Sequence, residues 1–90
     1  MKYDELLATA RQLEGMTLET VTGKEFKVGV YRDCPFFTPA SSGYGQSDGR
    51  EAAERFLDRY NRLGSTRPGD YADVTRNGSY YVVLVRHATD

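Results

Sequence analysis

Ninety residues with a net charge of −1, from 12 basic and 13 acidic side chains, suit one domain and offer no global field for nucleic acid or acidic membranes. A single cysteine, Cys34, excludes an intramolecular disulfide framework. No run approaches the roughly 18 apolar residues of a membrane span, and no N-terminal stretch resembles a signal peptide, so the expected setting is the cytoplasm.

Residues Lys2 to Glu14 carry Tyr3, Leu6, Leu7, Ala10 and Leu13 on one helical stripe, with Asp4 and Glu5 in the first turn and Gly15 as a stop. From Met16 the period changes to two. Met16–Thr22 and Phe26–Tyr31 read as the strands of a hairpin turned at Gly23-Lys24. Asp33–Gly49 shows neither period and holds Pro35, Pro39, Gly43, Gly45 and Gly49. It is expected to be a long loop (33–49) anchored to the core by a ring of Phe36 or Phe37.

A second helix is expected from Gly49 to Leu63, with Ala53, Phe56, Leu57, Tyr60 and Leu63 as its stripe. Asp48 with Glu51 gives it a capping-box start, and Gly64 gives it a stop. Arg67-Pro68-Gly69-Asp70 has a type II turn signature. Tyr71–Arg76 reads as a weak strand, and Asn77-Gly78 as a hairpin turn into the strand Ser79–His87. That last strand has two apolar faces, Tyr80, Val82 and Leu84 on one and Tyr81, Val83 and Val85 on the other, and so belongs in the middle of a sheet. The expected fold is a single α+β domain, residues 1–90, in αββαββ order, with a four-stranded antiparallel sheet and two helices packed on one face.

Chemistry is sparse in this chain. Cys34 and His87 form a nucleophile–base pair only if the fold joins them, and one cysteine with one histidine does not build a structural zinc site. No metal and no cofactor is expected. The loop before the second helix has glycines but lacks a Gly-Lys-Ser/Thr ending, and Asp48 occupies the anion position at the helix start. Arg55, Arg59 and Arg62 share one face of the second helix. With Arg50 and Arg76 nearby and Tyr44 for stacking, they outline a nucleic-acid footprint. Glu51 and Asp58, each four residues before an arginine, are ordinary intrahelical partners that weaken it.

The expectation is therefore a small non-catalytic binding module. It recognises a protein partner, its own copy included as a homodimer, through the 33–50 loop and an exposed sheet or second-helix surface. The candidate contacts are Arg50, Arg55, Arg59, Arg62, Arg76, Tyr44 and Phe37, since Tyr and Arg dominate interface hot spots. Nucleic-acid binding through the arginine face is the alternative, and a Cys/His enzyme ranks below both. If Val83 and Val85 lie on a helix-free face, the loop or a second copy must cover them.

Overall fold

In the computed structural model of residues 1–90, the first apolar stripe forms helix α1 (Tyr3–Gln12), burying Tyr3, Leu6, Leu7 and Ala10. The Glu5 carboxylate accepts the Lys2 N–H at 3.2 Å, satisfying a donor just ahead of the helix. The helix closes at Leu13, earlier than Gly15, which at φ 82° turns the chain into the sheet. Strand β1 (Thr17–Glu19) pairs antiparallel with β2 (Glu25–Tyr31), placing Leu18 opposite Phe26. The expected hairpin is present, with β1 shorter and the turn longer than the sequence indicates. Thr20 is buried, and its hydroxyl accepts the Lys24 N–H at 3.1 Å, closing the turn.

The first part of the expected long loop is a strand. Residues Cys34–Pro39 form β3, paired antiparallel with β2 so that Val28 faces Phe37 and Gly29 faces Phe36. The sheet order is β1-β2-β3, three strands and not four. Phe37 exchanges both backbone hydrogen bonds with Gln46, at 2.8 and 2.7 Å, on the side away from β2. By period two, Pro35 and Pro39 turn the same way, and proline has no N–H to offer there. The two prolines that suggest a loop are thus placed where an edge strand tolerates them.

Helix α2 (Gly49–Leu63) follows the expected span and stops at Gly64 in the left-handed region. Asp48 precedes it but makes no side-chain cap bond. Its carboxylate instead accepts the Thr75 hydroxyl and, at 2.7 Å, the Asn77 amide. Pro68–Tyr71 is a 3₁₀ turn with proline at its start, not a type II turn, and no strand follows it. Arg59 holds this segment to α2 through the Asp73 carboxylate and the Asp70 carbonyl, the latter at 3.0 Å.

The largest correction concerns Ser79–His87, which lies within helix α3 (Gly78–Thr89) and not in a strand. Tyr81 to Val85 are five consecutive buried residues. The Tyr80 ring packs against Phe26 at 4.7 Å and Phe37 at 5.2 Å. Tyr81 meets Phe37 at 5.1 Å and, toward α2, Phe56 at 5.0 Å. Helix α1 packs along α3 as well. A helix surrounded on every side has no polar face, so its sequence carries no helical period. Asn77-Gly78 opens this helix instead of closing a hairpin. A Cβ at Gly78 would come within 3.3 Å of the Pro68 carbonyl oxygen and 3.4 Å of Tyr71 Cβ, so the close crossing over the 3₁₀ turn favours glycine. Val83 and Val85 therefore lie in the core and need no further cover.

Burial pushes the phenols of Tyr3, Tyr71 and Tyr81 above the ordinary tyrosine range. The unfolded phenol ionises near pH 10, so these three contribute stability that is fully present below that pH. It is lost as pH rises toward their folded values. The urea midpoint is expected to fall between about pH 9 and pH 11, and Tyr81→Phe is expected to flatten that fall. An equal pH dependence in the variant would contradict it.

Candidate interaction face

All three helices lie on one side of the sheet, packed against Phe26, Val28 and Phe37. The opposite side is left open. Alternation along the strands gives it Thr17 and Glu19 from β1, Glu25, Lys27, Gly29 and Tyr31 from β2, and Phe36 and Thr38 from β3. Its two ends differ. Glu19 and Glu25 are cross-strand neighbours at one end, and Tyr31, Phe36 and Arg32 gather at the other.

The aromatic end is built by a tight turn. Arg32 and Asp33 both have positive φ, 51° and 58°, a conformation that costs a non-glycine residue about 1–2 kcal/mol. Three contacts hold it. The Tyr3 hydroxyl donates to the Asp33 carbonyl at 2.7 Å, Arg11 pairs with the Asp33 carboxylate at 2.8 Å, and the Arg32 guanidinium sits 5.3 Å from the centre of the Tyr31 ring. Phe36 lies 5.9 Å from Tyr31 and folds over Gly45, where a Cβ would fall 1.9 Å from a ring carbon. A side chain at Gly45 would have to displace that ring. Next to it, Tyr44 stands 79 % exposed, and Tyr31 is 55 % exposed. These are two of the few large apolar side chains left to solvent.

The residues expected from sequence to bind are dispersed. Arg50 pairs with Glu54 at 2.6 Å and lies over the Tyr3 ring at 4.5 Å. Arg55 pairs with Glu51 at 3.1 Å, and Arg59 is consumed by Asp73. Phe37 is completely buried and is a core residue in this fold. Arg62, Arg76 and Tyr44 are exposed with no side-chain partner, but they stand on three separate elements, and Asp58 does not pair with Arg62. Of the seven, Tyr44 adjoins the open face in the chain, next to the Gly45 that the Phe36 ring covers. Tyr31 and Arg32 are not among the residues the sequence points to. The signal was a tyrosine on the outward register of β2 followed by Arg-Asp, a dipeptide with no glycine to mark the turn.

Cys34 and His87 lie at opposite ends of β2. His87 shares a hollow of about 180 Å³ with Glu19, which pairs across from Glu25, whereas Cys34 pairs across from Tyr31. Six residues of strand separate the two, about 20 Å. No group of three or more His, Cys, Asp or Glu side chains is placed to hold a metal ion. A larger hollow of about 420 Å³ between the start of α1 and α2 is lined by Arg50 and Glu54, which neutralise each other. No helix is long and apolar enough to cross a membrane. Among known proteins, no family model, no curated protein and no solved structure matches the chain.

Proposed function

We propose that this domain is a small non-catalytic binding module of the cytoplasm that recognises a protein partner through the aromatic end of its open sheet face. The observation that carries the reading is exposed Tyr31, packed on Phe36 beside an Arg32 that has no acidic partner, on a face no helix covers. Tyr31 at the end of β2 and Arg32 in the turn that follows it are the residue types that serve as interface anchors. The nucleic-acid alternative loses its main support, because three arginines of α2 are spent on neighbouring acids. On the open face only Lys27 and Arg32 are cations without an ion pair, and two phosphate contacts give weak binding.

Peptides selected from a displayed random library are expected to bind the wild type. They should lose about tenfold or more in affinity for Tyr31→Ala/Tyr44→Ala, and none for Arg62→Ala. Selected peptides indifferent to the double substitution would overturn the reading. So would an empty selection beside salt-sensitive binding of single-stranded RNA or DNA.

A further inference from the structure

We infer that the protein partner of the open face is a second copy of this chain, docked with its β2 strand antiparallel across the first. This rests on the reading of that face as a protein interface, and two independent features carry it.

The first is Gly29, at the middle of the face. Its φ is not positive, and a Cβ there would meet nothing closer than the Phe36 carbonyl oxygen at 3.9 Å. The fold of a single chain therefore has room for a side chain at this position and no backbone need for glycine. Glycine within a strand destabilises it by roughly 0.5–1 kcal/mol relative to alanine and often marks a close approach from outside. A second sheet laid on this face is such an approach.

The second is the charge order along β2, which runs Glu25, Lys27, Gly29, Tyr31 and then Arg32, with Glu19 beside Glu25. None of Glu19, Glu25, Lys27 and Arg32 takes part in an ion pair within the chain. A two-fold axis running along the strands would set Glu25 on Glu25 and Lys27 on Lys27, which is repulsive. A two-fold axis crossing the strands, centred at Val28, brings Glu25 of each copy to Tyr31 and Arg32 of the other. It also lays Lys27 into the space left by Gly29. The face is self-complementary only in that second arrangement, as an isologous interface requires. Edge-to-edge association through β3 is closed off by Pro35, Pro39 and the Gln46 pairing. Strands about 4.8 Å apart, two of them about 20 Å long and β1 about half that, make a small interface, below the ~800 Å² per partner of a standard one, so the dimer is weak and concentration-dependent.

Sedimentation equilibrium of the full chain from micromolar to millimolar concentration tests this. The wild type is expected to rise toward twice the monomer mass. Gly29→Val should remain monomeric with its thermal unfolding at low concentration undiminished. Glu25→Arg and Arg32→Glu should each weaken association about tenfold, and the two together should restore it within about threefold. A wild type monomeric at millimolar concentration overturns the inference, as does a dimer indifferent to all four variants. A monomeric wild type whose selected peptides still depend on Tyr31 and Tyr44 removes the second copy alone. Loss of both removes the binding-module reading with it.

Discussion

Phe37→Ala is expected to cost about 3–5 kcal/mol of folding stability, the range for truncating a buried aromatic side chain. The ring is completely buried and is the joint between sheet and helix. It meets Phe26 edge-on at 6.1 Å, stacks on Tyr80 at 5.2 Å and meets Tyr81 edge-on at 5.1 Å. Its own backbone also secures the 40–48 loop through Gln46. Small domains have about 5–15 kcal/mol in hand, so the variant forfeits a large share of the total. Urea denaturation should show a lower midpoint with little change in slope. A cost below about 1 kcal/mol would mean that the ring is not the packing centre the contacts imply. The result also separates two roles for this residue, because a surface contact would alter binding and leave stability intact.

The physical reason Phe37 reads as a loop residue in the sequence extends to the whole third strand. Cys34-Pro-Phe-Phe-Thr-Pro39 alternates correctly, but proline is depleted in strands, and two prolines in six residues outweigh the pattern. Their spacing of four is the overlooked sign, since it sends both toward one edge. By contrast, α1 and α2 are legible because each buries one stripe and leaves the other face to water. Helix α3 is illegible for the opposite reason. Val82-Val-Leu-Val85 between aromatic residues and an Arg satisfies a strand and a buried helix alike, and β-branched residues tilt the local preference toward the strand. Tertiary packing decided otherwise: the sheet, α1 and α2 surround that segment, and a strand there would leave its backbone without a ladder partner. The open sheet face is illegible for the same reason. With Ser79–His87 read as the central strand, the helix-free side falls to Val83 and Val85, whereas the residues that line it stand on β1, β2 and β3.

Asp48→Ala is expected to destabilise the fold by roughly 2–5 kcal/mol, although the residue is only half-buried and lies in a loop. Its carboxylate accepts the hydroxyl of Thr75 and the side-chain amide of Asn77, the second at 2.7 Å. Thr75 in turn accepts the Asn77 N–H at 3.0 Å. This one group therefore ties the start of α2 to the start of α3, two segments about thirty residues apart in the chain. Asn77 is 1 % exposed, and its side-chain oxygen Oδ1, like the Tyr81 hydroxyl a turn later, is buried without a protein partner. Removing the carboxylate would orphan the amide as well, and each stranded buried polar group costs about 1–3 kcal/mol. A negative charge near the first turn of α3 also complements the helix dipole, adding about 0.3–1 kcal/mol that alanine forfeits. Asp48→Asn keeps one acceptor and the size of the side chain, so its cost should fall between wild type and alanine. Amide exchange should quicken in the first turn of α3 in step with the loss. In a double-mutant cycle, Asp48→Ala with Asn77→Ala should cost less than the sum of the two by about 1 kcal/mol or more, because the pair leaves fewer orphaned groups than either alone. Strict additivity would show that the two residues stabilise the fold independently, and that the carboxylate does not fasten α3 in place.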